Sequence, residues 1–312
     1  MTTATAHPNI ALIKYWGKQD RPGNYPATPN VSITLSGLVT QTTVQEADRD
    51  QVTLNGQQVE EDKILHFLRL LRGSFQLSPL HIDTHNNFPT GAGLASSASG
   101  FAALITAINA HGGLGLDQQM RSAWARQGSA SAARSVFSGF VTLAPPDWQA
   151  TTLATAEHWP LNTIVAVTNE RAKSVNSTTG MARSRSTSPF YDPWVKSCQE
   201  DYTLAVDAIA RQDFELLGET AERNCLKMHS VMLTSLPALA YWNPATVGCM
   251  QVVRELRAAG TGVFFTIDAG PQVKAICQAN DVERVNAALQ SVPGVQRTLV
   301  CGMGNGAHIS SL

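Results

Sequence analysis

The chain has 312 residues, enough to bury a large core in one large or two medium domains. Hydrophobic residues make up 43% of the chain and charged residues 15%, and the net charge is −1. This balance excludes a basic nucleic-acid surface and a disordered acidic tail, so the expected partner is a small molecule. The apolar runs are shorter than the roughly 20 residues of a membrane span, and the polar residues 1–8 predict no secretory signal.

The cysteines and histidines show none of the spacings that mark a metal site. The five cysteines are odd in number, widely spaced and without a CxxC pair, and the eight histidines contain no HExxH pattern. We therefore expect neither a zinc site nor a disulfide framework, and we expect a reducing, cytoplasmic setting.

The first third of the chain is predicted to consist mainly of strands. Residues 10–16 (IALIKYW) form an apolar run that delivers Lys14, Tyr15 and Lys18 to its end. These lysines could contact phosphate, or they could be solvated charges at a sheet edge. A polar, proline-rich loop follows at 19–30. Further strands are predicted at 31–36, 39–44 and 52–54, with a hairpin turn at Asn55-Gly56.

A glycine- and serine-rich stretch, PTGAGLASSASG at 89–100, follows a predicted helix at 60–75 and a strand at 80–87. Small residues leave backbone N–H groups accessible, and helical apolar spacing begins within the stretch. A helix N-terminus with free N–H donors favours bound phosphate. The alternative is a small-residue turn that only caps a buried helix.

A second run of small residues, GSASAARS at 128–135, ends a helix predicted at 117–127. Its hydroxyls and the guanidinium of Arg134 suit a phosphate or a carboxylate, because arginine offers paired planar donors. The alternative is a flexible connection with a surface arginine. A strand is predicted at 137–143, and the polar stretch from Pro145 to Pro160 suggests a domain seam.

The second half is predicted to begin with a buried strand at 163–168. No apolar period runs through 174–188, so we expect a solvated loop there that carries Arg183 and Arg185. Helices are expected at 193–211, 214–231 and 246–259, followed by a strand at 261–267. The chain then closes with short helices at 273–278 and 282–289 and a strand at 295–300.

Asp268 directly follows the predicted strand at 261–267 and precedes a glycine and a proline. A carboxylate at this position would be held rigidly near backbone donors, which suits a catalytic group. The same position also suits an aspartate that caps a helix or a turn.

Taken together, these stretches resemble the GHMP kinase superfamily and, within it, the mevalonate diphosphate decarboxylases. The resemblance covers nearly the whole chain. It is carried, in order, by NIALIKYWGK (9–18), PTGAGLASSASG (89–100), GSASAARS with the following FSGF, and FTIDAGP (265–271). The helical segment at 214–243 is also similar to the family's.

The resemblance implies a mixed α/β (α+β) architecture, the GHMP kinase fold. A ribosomal-S5-like N-terminal domain at 1–160 would lie beside a C-terminal α/β domain at 161–312, with the active site in the cleft between them. It further implies ATP, Mg²⁺ and a cytoplasmic homodimer. The implied reaction converts mevalonate 5-diphosphate to isopentenyl diphosphate, CO₂, ADP and phosphate.

The resemblance also implies the role of each site residue. Asp268 corresponds to a catalytic aspartate that orients or deprotonates the substrate 3-hydroxyl, with Lys18 close enough to keep it ionised. Arg134 corresponds to an arginine that binds the substrate carboxylate. Further substrate contacts are implied for Tyr15, Ser129, Ser131 and Ser177. The phosphates of ATP are expected at Gly91, Gly93, Leu94, Ala95, Ser96 and Ser97, with Mg²⁺ near Ser97.

One residue departs from the family's usual sequence, and relatives of the family differ in their substrate and in the reaction they catalyse. Ala130 stands where the family usually has a glycine, in the GSAS stretch before Arg134. Some relatives use mevalonate 5-phosphate, and others phosphorylate the 3-hydroxyl without decarboxylation. The remaining alternative is a protein that binds a nucleotide or metabolite without catalysis, although such a protein would have no use for a carboxylate among phosphates.

Overall fold

Three sheets and a set of helices form the structure, a computed structural model that describes residues 1–60, 62–89, 93–171 and 173–310. The strands in the described ranges are β1 Thr2–Ala6, β2 Asn9–Ile13, β3 Asn30–Thr34, β4 Thr40–Glu46, β5 Gln51–Leu54, β6 Gln57–Gln58, β7 Leu80–Asn86, β8 Phe140–Ala144, β9 Gln149–Ala154, β10 Asn162–Val167, β11 Val263–Ile267, β12 Val273–Cys277, β13 Arg297–Cys301 and β14 His308–Ile309. The helices are α1 Asp62–Arg72, α2 Ser96–His111, α3 Gln118–Gly128, α4 Ala132–Ser135, α5 Ser177–Thr187, α6 Tyr191–Arg211, α7 Phe214–Leu233, α8 Pro244–Ala258 and α9 Val282–Gln290.

Two of the sheets belong mainly to the first half of the chain. One has the order β14-β1-β4-β7-β5-β6, in which β5 pairs with β7 in parallel and the other pairs are antiparallel. The second is antiparallel, with the order β2-β3-β8-β9. Helix α2 packs on β1 and β4, which covers one face of the larger sheet with apolar side chains.

The third sheet is antiparallel and has the order β11-β12-β10-β13. Its strands β11 and β12 are buried along their whole length, because α7 and α8 cover them. Strands β2 and β11 are edge strands of their own sheets, and both contact α7. This helix therefore joins the two halves of the chain.

Two predictions about local structure were wrong. Residues 177–187 form helix α5 rather than a loop. Its buried residues are Gly180, Met181 and Ser184, so no apolar period marks the helix in the sequence, and Trp16 donates to the hydroxyl of Ser184 at 2.9 Å. Residues 273–277 form β12, because pairing on both sides overrides the local helical pattern. Residues 149–154 form β9 within the predicted seam and pair with β8. The division of the chain at residue 160 remains a prediction.

The other predicted elements agree with the structure to within a few residues. The Asn55-Gly56 turn joins β5 and β6, with both residues at positive φ, as this tight hairpin requires. Asp117 accepts a hydrogen bond from the backbone of Met120 and caps α3. Within the described residues, the helices are too short or too polar to cross a membrane.

Candidate active site

A cavity of about 710 Å³ lies where the two halves of the chain meet. It is lined by the end of β2, the start of α2, the loop before α4 and the residues after β11. Most of the predicted site residues face it: Tyr15, Lys18, Gly93, Ala95, Ser96, Ser97, Ser129, Ser131, Arg134, Ser177 and Asp268. The predicted phosphate contact Gly91 lies outside the described residues.

Asp268 lies at the deep end of the cavity between two buried lysines. Lys14 Nζ is 2.6 Å from Oδ1 of Asp268, and Lys274 Nζ is 3.1 Å from Oδ2. The lysine side chains are 1% and 0% exposed, whereas a quarter of the carboxylate side chain remains accessible from the cavity. The two lysines therefore fix the carboxylate and leave part of it open to a ligand in the cavity.

These two lysines keep Asp268 ionised. Burial alone would raise the pKa of this carboxyl, but the charges of Lys14 and Lys274 and their hydrogen bonds lower the pKa well below its usual range. Burial also lowers the pKa of Lys274, and the charge of Asp268 opposes that shift. Asp268 is thus a fixed anion at neutral pH, and it serves better as a positioned acceptor than as a strong base.

Lys18 does not contact Asp268, in contrast to what the family resemblance implies. Among the described residues, the partners of this carboxylate are Lys14 and Lys274, while Lys18 Nζ donates to Oδ1 of Asn24 at 2.7 Å. Strand β2 ends at Ile13 and the buried Lys14 follows it directly, whereas Lys18 lies further along the chain and also lines the cavity. Burial lowers the pKa of Lys18, and the charge of Lys63 lowers it further.

Arg134 is buried in α4 rather than exposed on a flexible connection. Its Nε donates to the Ser32 hydroxyl at 2.8 Å and Nη2 donates to Asn9 Oδ1 at 3.1 Å, while Nη1 donates to Asn30 Oδ1. Burial lowers the pKa of Arg134 to about 10, so the group stays charged at neutral pH. These neutral partners fix the orientation of the guanidinium and leave N–H donors for an anion in the cavity.

Around the start of α2, which we call the α2 end of the cavity, three serine hydroxyls lie close together. The Ser97 hydroxyl on α2 is 3.3 Å from that of Ser129, which is 3.2 Å from that of Ser131. Ala95 precedes α2 in the left-handed conformation and has no side-chain acceptor that could cap the helix. The Ala98 N–H donates to the Ala95 carbonyl at 2.8 Å, and Ser96 and Ser97 at the start of the helix line the cavity, where the helix dipole favours a phosphate.

The glycine-rich loop is joined directly to the aspartate. Lys274 Nζ donates to the carbonyl of Gly93 at 2.9 Å while it pairs with Asp268. Gly93 has φ +84, and a Cβ there would lie 3.1 Å from the Cα of Gly270. The close approach of these two loops requires glycine. Leu94, next in the loop, packs its side chain into the core.

Mg²⁺ and ATP fit the donors at this end. Within the described ranges, no group of three or more His, Cys, Asp and Glu side chains could hold a metal ion. Mg²⁺ is commonly held by one or two protein oxygens together with substrate phosphates and water. The Ser97 hydroxyl, in the first turn of α2, is an oxygen of this kind and lines the cavity.

Comparisons with known proteins agree with this arrangement. Residues 6–154 match the diphosphomevalonate decarboxylase-like N-terminal domain, and residues 163–304 match the mevalonate 5-diphosphate decarboxylase C-terminal domain. The chain belongs to the mevalonate diphosphate decarboxylase family. A Candida albicans diphosphomevalonate decarboxylase is 37% identical over 298 residues, which cover 86% of this chain and 82% of that protein.

Solved structures of this family share the whole fold. The Staphylococcus aureus mevalonate diphosphate decarboxylase superposes with a TM-score of 0.93 at 35% identity, covering 99% of this chain and 98% of that one. A complex described as MDDEF with MVAPP, AMPPCP and magnesium has a TM-score of 0.92 at 36% identity, covering 100% and 99%. The mixed α and β architecture expected from the sequence is therefore confirmed.

The decarboxylase-family motifs did not reveal three lysines at this site. Lys14 was recognised only as a possible phosphate contact, and Lys274 and Lys173 were not singled out. Lys173 Nζ donates to the Ser177 hydroxyl at 2.7 Å and to the Ala269 carbonyl at 3.1 Å, and burial lowers its pKa to about 8. A lone lysine within an apolar strand, as in VKAIC of β12, is a signal that could have identified Lys274, because such a charge is buried only with a partner.

Ala130 is compatible with the local backbone. Its side chain is 3% exposed, and the non-glycine residues with positive φ in the described chain are Asn24, Asn55, Ala95, Trp148 and Gln212. Because the backbone at 130 does not lie in the left-handed region, an alanine is accommodated where the family usually has glycine.

Proposed function

We propose that this chain is a diphosphomevalonate decarboxylase that uses ATP and Mg²⁺ to convert mevalonate 5-diphosphate to isopentenyl diphosphate, CO₂, ADP and phosphate. The observation that carries the proposal is the position of Asp268. It is an ionised carboxylate held by two lysines in a cavity that the start of α2 also lines. The curated relatives named for this activity and the neighbour bound to MVAPP and AMPPCP support the assignment.

Asp268 accepts a hydrogen bond from the 3-hydroxyl of the substrate and directs its oxygen toward the terminal phosphate. As the oxygen–phosphorus bond forms and the bond between the terminal phosphate and ADP breaks, this carboxylate takes up the hydroxyl proton, which has become more acidic. Lys14 and Lys274 supply fixed positive charge next to the transferred group, which lowers the cost of the developing negative charge. Both lysines contact the carboxylate directly, at 2.6 and 3.1 Å.

Arg134 binds the substrate carboxylate and holds it beside the phosphorylated carbon. When phosphate leaves that carbon, the bond to the carboxylate breaks and supplies the electron pair of the new double bond, so that CO₂ departs. The rigid guanidinium keeps this bond aligned with the leaving group. Tyr15, Lys18, Ser129, Ser131 and Ser177 are the proposed contacts to the remainder of the substrate.

The phosphates of ATP are proposed to lie against the glycine-rich loop and the first turn of α2. Gly93, Ala95, Ser96 and Ser97 line this end of the cavity. Ser97 would hold Mg²⁺ together with the phosphates, and the ion would neutralise phosphate charge. Gly91 is retained in the proposal on the sequence alone.

Incubation of the protein with ATP and mevalonate 5-diphosphate tests the proposal. We expect CO₂, phosphate and ADP in equal amounts. A stable 3-phosphorylated product would identify a kinase that does not decarboxylate. Binding without ATP consumption would identify a non-catalytic protein, and both results would overturn the assignment.

We also propose that the protein acts in the cytoplasm as a homodimer. The five cysteines are buried free thiols, which suits a reducing compartment, and the family resemblance implies the dimer. Sedimentation equilibrium at micromolar concentration is expected to give twice the chain mass, and a monomer at that concentration would overturn the oligomeric assignment.

A further inference from the structure

Helix α7 lies behind the reaction centre and contacts both strands that lead into it. Lys14 directly follows β2 and Asp268 directly follows β11, and these are edge strands of two different sheets. Between the two strands, the Thr266 hydroxyl donates to the Ala11 carbonyl at 3.3 Å. The distance between the lysine and the carboxylate therefore depends on what bridges the two sheets.

Asn224 of α7 fixes the lysine side of this bridge. Its Oδ1 accepts from the backbone N–H of Lys14 at 2.7 Å, and its Nδ2 donates to Oδ2 of Asp201 at 2.7 Å. A backbone N–H can only donate and a carboxylate can only accept, so the orientation of the amide is determined. Asn224 is fully buried.

Asp201 on α6 holds Asn224 in turn. This carboxylate is 1% exposed, and Arg223 and Lys227 of α7 reach it at 3.0 and 2.5 Å. A buried anion with three donors has little freedom to move. The Asn224 amide is thus anchored at one end and aimed at Lys14 at the other.

Two other residues of α7 fix the aspartate side. The Ile267 N–H donates to Cys225 Sγ at 3.2 Å, and the Ile267 carbonyl lies 3.2 Å from His229 Nε2. Burial lowers the pKa of His229 to about 3, so the ring is neutral, and the carbonyl acceptor places its proton on Nε2. The peptide immediately before Asp268 is therefore held by α7 on one side, in addition to the pairing of β11 with β12.

We infer that α7 sets the separation of Lys14 and Asp268, with Asn224 and His229 as positioning residues on its two sides. This inference rests on the proposed function. Residues 224, 225 and 229 lie within about one and a half turns of the helix, so a rigid segment spans the two sheets. The 2.6 Å separation of Lys14 Nζ and Asp268 Oδ1 is thereby set by the protein.

The first test compares three variants of α7 in steady-state kinetics. His229→Leu removes the donor to Ile267, His229→Gln retains a donor, and Leu217→Ala removes apolar packing elsewhere on the helix. Because small misplacements at a reacting centre are costly, we expect His229→Leu to lower kcat about 10- to 100-fold with KM for both substrates within about twofold. We expect His229→Gln to recover most of the loss and Leu217→Ala to lower the melting temperature while kcat stays near wild type.

The melting temperatures of the variants separate a positioning role from a loss of stability. If the loss of kcat in Leu217→Ala and His229→Leu is proportional to the fall in melting temperature, His229 has only a structural role and the inference is wrong. The same conclusion follows if His229→Gln recovers none of the kcat that His229→Leu loses. An inactive wild-type protein would instead overturn the proposed function, and the second test decides between these cases without activity.

The second test follows hydrogen exchange at the Lys14 amide. Asn224→Ala removes the acceptor of this N–H, so its exchange is expected to accelerate at least tenfold in peptides covering residues 12–16, with exchange in β12 unchanged. His229→Leu is the matched control and should leave the Lys14 amide protected. Unchanged exchange in Asn224→Ala would overturn the inference whatever the activity of the protein.

Discussion

At the Asp268 end of the cavity, charged groups are paired within the protein, whereas at the α2 end the neutral hydroxyls of three serines line the cavity. Lys14 and Lys274 grip the carboxylate at 2.6 and 3.1 Å, while the hydroxyls of Ser97, Ser129 and Ser131 contact one another only at 3.2 to 3.3 Å. The first end is preorganised, and the second is arranged to receive an anion.

The difference follows from what each end must do. Charges that stabilise a transition state work best when they are already fixed, because no reorganisation is then required during the reaction. Phosphates that enter and leave are better bound by neutral donors and a helix N-terminus, which attract an anion without holding a permanent counter-charge. Lys274 contacts both ends, since it pairs with Asp268 and donates to Gly93.

The largest effect is expected for Asp268→Asn, which removes the charge from the preorganised end. We expect kcat to fall about 10³- to 10⁴-fold, because the acceptor for the 3-hydroxyl proton is lost. Two buried lysines also lose their counter-charge, so the melting temperature should fall. The exposed pair partner Asp207 provides the control Asp207→Asn. Near-normal turnover of Asp268→Asn would remove this carboxylate from the mechanism.

Lys274→Met tests whether a buried lysine lowers the pKa of Asp268. Lys274 lowers the pKa of Asp268, so its removal raises that pKa and should move the acid limb of the kcat profile to higher pH. We also expect kcat to fall about 10²-fold at neutral pH because fixed positive charge is lost.

A pH series from 4 to 9 measures both effects, with Lys196→Met as the control because Lys196 is exposed on α6. An acid limb that does not move would show that Lys274 does not control the ionisation of Asp268.

Arg134→Lys tests the rigid cation between the two ends. An ammonium cannot reproduce the donors to Ser32, Asn30 and Asn9 or a bidentate contact with a carboxylate. We expect kcat/KM for the mevalonate substrate to fall about 10²-fold, with KM for ATP changed little. Arg284→Lys, at an exposed position on α9, is the control. Retention of wild-type kinetics would exclude Arg134 from substrate binding and leave it a structural role only.

The α2 end could be predicted from the sequence better than the Asp268 end. Glycine, small residues and the start of a helical period are local signals, so the loop before α2 and its donors were predicted from one stretch. The ion pair joins residues 14, 268 and 274, and the partners of a buried charge are determined by tertiary packing. The family motif implies that Lys18 lies near Asp268, whereas the structure has Lys14 and Lys274 there.

Tertiary packing also determines the two segments whose local structure was predicted wrongly. In α5, Gly180 packs on the Trp16 ring and Ser184 accepts from its indole, so the buried face has no apolar period. The backbone of β12 pairs with β10 and β11, and that pairing decided its conformation over the local pattern. Asn224 and His229 lie in an ordinary amphipathic helix, and only the packing of α7 on β2 and β11 reveals what they contact.

The smallest expected effect concerns recognition of the second phosphate of the substrate. The Tyr15 hydroxyl is buried and has no hydrogen-bond partner among the described residues, and burial raises its pKa, so it remains a donor. A hydrogen bond to a charged group contributes about 1.5 to 3 kcal/mol, so we expect kcat/KM for the 5-diphosphate to exceed that for the 5-monophosphate at least about tenfold.

Tyr15→Phe should narrow this ratio several-fold by lowering kcat/KM for the diphosphate alone, because the substitution breaks no hydrogen bond within the described protein. Tyr202→Phe, whose hydroxyl accepts from Thr142, is the matched control and should leave the ratio unchanged. Equal losses on both substrates would assign the Tyr15 hydroxyl to a group that they share. A wild-type preference for the monophosphate would overturn the substrate assignment and leave the comparison of the two ends intact, since both compounds carry the same 3-hydroxyl and carboxylate to Asp268 and Arg134.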